Sequence, residues 1–289
     1  MNAKLIVNAK SVLGEGPLWM PAEKSLYWVD IEGLKINSIH TESQKQSTHD
    51  FEKRPGAVVP TSDGKFLIAF EDGLALYDWS TKELAYKDKL GSNTPMVRAN
   101  DGKCDPDGNF WIGTMHLELE EGAGALYCYK NDFVENKVLE NRTVSNGLAW
   151  TSDGKTMYYI DSHDNRMMAY DYHNGAITNG RVAFTIDAEE MGVLDGMAID
   201  AEDKLWIAHW GGNCVRRWDP ISGKVLEKVE VAAPHVTSCC FGGEKMDELY
   251  ITTATIGLSD EQFAEYPQSG GVFMIKPGVS GPPADIFKS

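Results

Sequence analysis

The stretch DGKCDPDGNFWIGTM, residues Asp101–Met115, runs through small residues, turns at Asp107-Gly108 and continues as Phe110-Trp111-Ile112. Asp-Gly between β-type runs is a strong hairpin signal, because glycine accepts the positive φ of a tight turn. The same phrase recurs on both sides. Before it stand Glu23-Lys24 with Leu26-Tyr27-Trp28, and Asp63-Gly64 with Phe66-Leu67-Ile68. After it stand Asp153-Gly154 with Met157-Tyr158-Tyr159, Glu202-Asp203 with Leu205-Trp206-Ile207, and Asp247-Glu248 with Leu249-Tyr250-Ile251. The middle residues Tyr27, Leu67, Trp111, Tyr158, Trp206 and Tyr250 are 40, 44, 47, 48 and 44 positions apart.

Six units of this period, each a small antiparallel sheet, predict an all-β fold, a six-bladed β-propeller filling residues 1–289 as one domain. A β-sandwich would lack the six-fold repeat, and the signatures of WD40 blades are absent, with only one Trp218-Asp219 pair. No long segment carries a 3.6-residue apolar period, so helices should be few. The first strand, near Lys4 to Asn8, has no unit of its own. It is expected to pair as the outer strand of the last blade, closing the ring and covering an edge.

The charge balance, 27 Lys+Arg against 43 Asp+Glu for a net −16, argues against nucleic acid as a partner, since phosphate contacts need a basic face. A hydrophobic fraction of 42% excludes a disordered chain. Five scattered cysteines without a C-x-x-C pair read as reduced, buried thiols. No apolar run reaches membrane-spanning length and no signal-like segment begins the chain, so no membrane partner and a cytoplasmic location are expected.

In a propeller the first strand of each blade lines the central channel, so residues at the starts of those strands converge. The residue before the first-strand glycine is Glu15, Pro55, Asp101, Asn146 and Asp195 in turn, and Ser238 falls at roughly that place in the sixth unit. Carboxylates on a narrow axis repel one another without a cation. An all-oxygen set suits Ca²⁺ or Mg²⁺ and can accept Mn²⁺ or Zn²⁺. Asp-Gly and Asn-Gly also form turns generically, and periodicity alone leaves both readings open. The loops after the second strands surround the same mouth and carry Asp30, Glu71, His116 with Glu118, Asp161 with His163, His209 with Trp210, and Thr253. The His116–Gly124 loop reads as a flexible lid. Arg98 and Asn100 stand at that mouth too, and the arginine fork suits either an ion pair or substrate oxygens. EF-hand, P-loop, G-x-S-x-G and H-E-x-x-H patterns are absent.

"EGPLW" from Glu15, "RANDGKCDPDG" from Arg98, "GTM" from Gly113, "SNGLAW" from Ser145, "LDGMAID" from Leu194 and "TSCCFGG" from Thr237 occur in this order. The chain so marked resembles the SMP-30/gluconolactonase/luciferin-regenerating family over nearly its whole length. The resemblance implies a six-bladed propeller, agreeing with the repeat count. It also implies one divalent metal ion (Ca²⁺, Zn²⁺, Mn²⁺ or Mg²⁺) on Glu15, Asn146 and Asp195, and substrate contacts from Arg98, Asn100 and Glu118. Asp101 is a nearby carboxylate of open role, and His209 is a further candidate. The implied reaction is hydrolysis of a sugar lactone, gluconolactone-like, to the aldonic acid, with the metal as Lewis acid and Asp195 as general base. The alternatives are a non-catalytic Ca²⁺-binding regulator, which would not need Arg98, Asn100 and Glu118, and a luciferin-regenerating-type hydrolase.

Overall fold

The computed structural model describes residues 1–90 and 94–289. They form six four-stranded antiparallel sheets around an axis, the predicted six-bladed propeller. The inner strands are Gly14–Met20, Pro55–Pro60, Val97–Cys104, Ser145–Trp150, Val193–Ile199 and Val236–Gly242. Five sheets are consecutive meanders. In the sixth, the outer strand is Lys4–Val7, paired with Val272–Ile275, so the N-terminal strand closes the ring as the sequence suggested. Trp19 of the first blade stacks on Tyr250 of the sixth, with ring centroids 5.5 Å apart, and welds the closure from within. Two short helices, Ala188–Met191 and Asp260–Glu265, complete the described elements, and neither is long and apolar enough to cross a membrane.

The second strand of each blade is packed on both faces by its neighbours, which explains why the recurring trio is continuously apolar rather than alternating. Trp28, Trp111, Trp206, Tyr159 and Tyr250 are all fully buried there. The inner-to-second hairpins at Gly64, Gly108 and Gly154 have φ of +81°, +84° and +63°, the conformation that Asp-Gly was read to require. The inner-to-second corners of the third and fifth blades share a polar staple. Asp105 accepts the Trp111 indole N–H at 2.7 Å, and Asp200 accepts that of Trp206 at 3.0 Å, six residues on in each case.

The chain's last residues run across the end of the channel opposite the mouth. Ser280 and Gly281 bond to Ala201 and Met246 in the fifth and sixth blades. Phe287 and Lys288 bond to Pro60, Ser62 and Gly108 in the second and third. Phe287 is wholly buried in the apolar cluster between those two blades, beside Ala57 and Phe110. Phe287→Ala should therefore destabilise the protein by about 3–5 kcal/mol, as for other fully buried phenylalanines. Urea unfolding checks this, and a loss below about 1 kcal/mol would show that the strap is a passive tail.

Candidate active site

Every inner strand carries one residue more than the strand it pairs with, and in each the slip falls at its start. The slips lie between Glu15 and Leu18, Pro55 and Ala57, Ala99 and Gly102, Asn146 and Leu148, Leu194 and Met197, and Val236 and Ser238. A bulge re-aims the side chain it carries. Here it does so where six strands draw together. The glycines that follow belong to this approach and not to turns. A β-carbon on Gly147 would lie 2.8 Å from the Asp195 carbonyl oxygen, and one on Gly196 would lie 2.3 Å from Ser238 Oγ.

A cavity of about 420 Å³ opens at this end of the channel, and its floor includes Glu15, Arg98, Asn100, Asn146, Ser162 and Asp195. All six are buried. Asn146 Nδ2 donates to Asp195 Oδ1 at 2.5 Å and to Ser162 Oγ at 3.1 Å. The Ser162 hydroxyl passes its own proton to the Leu194 carbonyl at 2.7 Å, which fixes the lone pair it offers to Asn146. These bonds leave Asn146 Oδ1 buried with no partner. On the other side, Arg98 Nη1 donates to Ala99 O at 2.8 Å and to Asn100 Oδ1 at 2.9 Å. Asn100 is itself tied to the Ser145 carbonyl at 3.0 Å. Arg98 Nε is buried and unpartnered.

The electrostatics ask for a cation. Glu15 is held well above the usual carboxylate range, by burial first and then by the charges of Asp195 and Asp101. Asp195 is raised likewise, by burial and by Asp101, against which the Asn146 hydrogen bond works only partly. Asp101 is also raised by burial, but Lys103 opposes this. The metal expected from the resemblance fits these residues. Glu15 and Asp195 supply charge, and the orphaned Asn146 oxygen supplies a neutral third donor, all hard oxygens suited to a divalent ion. Among the described residues no group of three His, Cys, Asp or Glu is placed to hold a metal, so a third oxygen beside Glu15 and Asp195 would have to come from a neutral donor such as the Asn146 amide.

The other expected residues are placed differently. Asp101 and Ser238 line a second, lower cavity beside Lys103 and Asp285, beneath the floor of the first. Glu118 is exposed and absent from the cavity wall. Its backbone N–H is bound to His116 Nδ1 at 3.2 Å, and it is the flanking Leu117 and Leu119 that line the wall. His209 is fully buried away from the cavity, its ring stacked along Trp218 and its pKa pushed down to about 3 by desolvation, then by Arg216. It is a neutral core histidine, and only its neighbour Trp210 reaches the cavity. Asp30 and Asp161 are backbone staples: each carboxylate binds two successive N–H groups, of Val12 and Leu13 and of Thr143 and Val144. Glu71 is paired with Arg54 at 2.9 Å, and Thr253 Oγ1 is spent on the Gly271 carbonyl.

Sequence reading missed Ser162 and Glu32, both lining the cavity. Ser162 follows Asp161, but a serine after a turn aspartate gives no sign of its own. Glu32 stands two residues past Asp30, in contact with Arg54 at 3.0 Å, and the ion pair could not be seen without the fold.

The family model for the SMP-30/Gluconolactonase/LRE-like region matches residues 13–255. Regucalcin of Danio rerio is 36% identical over 288 residues, covering 98% of this chain and 97% of its own. The protein YvrE of Bacillus subtilis, provisionally named a sugar lactone lactonase, is 34% identical over 94% of both chains. Among solved structures, a calcium-binding regucalcin from Agrobacterium tumefaciens aligns with a TM-score of 0.94 at 31% identity, covering 99% of this chain and 97% of that one.

The raised carboxylates set a sign for stability. A carboxyl group whose folded pKa lies above its unfolded value binds protons preferentially when folded. Their contribution to cation-free stability is therefore greatest in acid and falls as pH rises from about 4 through the raised folded values. Asp195→Asn removes one buried charge and keeps the acceptor for Asn146. In chelator the variant should melt higher than the parent at pH 7, the gap narrowing toward pH 4. Added Ca²⁺ or Zn²⁺ should raise the parent's melting temperature and not the variant's. Thermal unfolding across pH checks both, and equal cation shifts in the two proteins would remove Asp195 from the ligand set.

Proposed function

The chain belongs to the SMP-30/gluconolactonase/LRE-like family, and from that membership and the cavity floor we propose that it is a divalent-metal-dependent lactonase. It opens a gluconolactone-like ring ester to the hydroxy acid. The observation that carries this reading is a pair of buried, unpartnered polar atoms on residues lining one cavity, Asn146 Oδ1 and Arg98 Nε. The first suits a cation and the second an anionic or carbonyl oxygen. Metal-assisted ester hydrolysis uses both.

Glu15, Asn146 and Asp195 hold the ion. When bound it supplies Lewis-acid polarisation of the lactone carbonyl and offsets the carboxylate charge. Asp195 accepts the proton of the attacking water, whose oxygen bonds to the carbonyl carbon as the ring C–O bond breaks. The Asn146–Ser162–Leu194 chain of hydrogen bonds keeps the Asp195 carboxylate in one orientation. Arg98 donates Nε–H to oxygen that gains charge in the transition state, within a buried floor where such a donor acts strongly. Asn100 clamps the guanidinium through Nη1 and so positions it. Glu32, held by Arg54, faces the ring hydroxyls from the wall, a role the family resemblance gives to Glu118.

Chelator treatment should abolish proton release from gluconolactone, with recovery on adding back a divalent ion. Asp195→Ala should not recover. Full turnover by chelated protein would sink the metal role. Arg98→Met should lower kcat/KM by about 100-fold while leaving the cation-induced melting shift in place, in line with loss of one oxyanion donor. Glu118→Gln should cost less than threefold, a change near the ~0.6 kcal/mol scale of a weak exposed contact. A Glu118→Gln loss as large as that of Arg98→Met would mean that the loop closes Glu118 onto the ring.

A further inference from the structure

Above its polar floor the same cavity changes character. Its wall is built from Met115, Leu117, Leu119, Val193, Trp210 and Ile256. Leu119 is 58% exposed, and Leu117 and Ile256 are each 38% exposed, so three large apolar side chains face solvent at one mouth. Single exposed apolar residues are ordinary, but a convergent group rimming a concave site marks a place where apolar surface is to be covered.

The wall is held in place by its neighbours. Trp210 stacks on His235 with centroids 4.0 Å apart and planes 10° from parallel, and His235 Nδ1 bonds to the Ile256 carbonyl at 2.9 Å, joining two of the wall residues through one ring. Across the mouth, the Leu117 N–H binds the Met96 carbonyl at 2.7 Å, and the Leu119 N–H binds that of His116 at 3.0 Å. Leu119 sits at φ +58°, a backbone region that bulky L-residues seldom occupy, and this turns Leu119 rather than Glu118 toward the cavity.

A ring lactone with a hydroxyl on every carbon matches the floor and mismatches this wall. Glu32, already held by Arg54, is the one wall carboxylate within the cavity, and hydroxyls beyond its reach would lose water against leucine, valine and tryptophan. The volume, about 420 Å³, also falls in the range of pockets that take drug-sized ligands, ~300–1,000 Å³, more room than one sugar ring needs. We propose that the substrate is an amphipathic lactone, its ester ring on the Glu15–Asn146–Asp195 and Arg98 floor and an alkyl or aryl arm along the Leu117–Leu119 and Trp210–Ile256 walls. This rests on the lactonase reading for its chemistry and on the cavity wall for its specificity.

The test is the γ-alkyl-γ-butyrolactone series from γ-valerolactone to γ-decalactone, with gluconolactone alongside, on the metal-loaded protein. Hydrolysis is followed by proton release. The expected kcat/KM rises about 4-fold per methylene until the wall is covered, the equivalent of ~0.8 kcal/mol per buried CH₂. Leu117→Asn with Leu119→Asn should at least halve that slope, because asparagine keeps the left-handed backbone accessible while removing the apolar wall. A flat or falling series, with gluconolactone hydrolysed, would overturn the proposal and leave the lactonase intact. If no lactone at all is hydrolysed, the lactonase reading fails instead. Calorimetric binding of the matching alkyl γ-lactams, which need no turnover, then decides the wall: affinity rising with arm length upholds it, and equal affinities sink it.

Discussion

Six inner strands can share one axis only if their backbones come closer than side chains allow. The structure meets this with a glycine after each converging residue in five of the six blades, and Gly147 and Gly196 show its necessity by the backbone and side-chain atoms a β-carbon would strike. The rest of the site follows from this approach. A strand that must pass its neighbour so closely cannot carry bulk inward, so each inner strand bulges, and the first, fourth and fifth deliver a polar side chain to the mouth instead. Glu15, Asn146 and Asp195 are thus brought from three separate blades into one buried floor. The same closeness puts their charges in each other's field, and that repulsion makes a cation the natural counterpart.

The acidic composition divides once the fold is known. Asp30, Asp161, Asp105 and Asp200 are buried acceptors that tie backbone or indole N–H groups at the blade corners. Asp200 is further matched by Arg217 at 2.8 Å, which also reaches Glu202 and Glu227. These carboxylates have all the hydrogen bonds or cations they need. Glu15 and Asp195 do not: the basic neighbour that lowers both is Arg98, and it offsets less than the burial and the neighbouring carboxylates raise. Carboxylate is common in this chain, so its abundance says little. The absence of adequate local compensation for these two is what sets them apart.

The repeat made the fold legible because the middle of a buried second strand must be apolar on both faces, and Tyr27, Leu67, Trp111, Tyr158, Trp206 and Tyr250 advertise it at a spacing of 40–48 residues. The converging positions were legible for the same reason, since the channel-lining position recurs at a fixed offset from each hairpin; the choice of Glu15, Asn146 and Asp195 among them came from the family resemblance. Loop residues have no such offset. Whether Glu118 or its leucine neighbours face inward is set by one left-handed residue and one hydrogen bond to His116, and neither is written in composition. His209 illustrates the converse. A histidine beside a mouth-facing tryptophan reads as functional, yet in an alternating strand adjacent residues face opposite sides, and Trp210 took the side with the cavity.

The distinction between a metal buffer and a metal enzyme also turns on compensation. A site that only binds a cation is complete once the oxygens of Glu15, Asn146 and Asp195 are satisfied. Nothing in that task requires an arginine in the same floor, since its positive charge opposes the ion it stands beside. Arg98 is nonetheless buried there, its ionised form disfavoured first by desolvation, and Asn100 holds one arm of its fork while Nε is left without a partner. A buried charge kept against its desolvation cost and aimed beside a cation site is suited to a ligand that brings its own oxygens. On the proposed lactonase reading, that ligand presents electron density to the guanidinium as an ester carbonyl does when water adds to it.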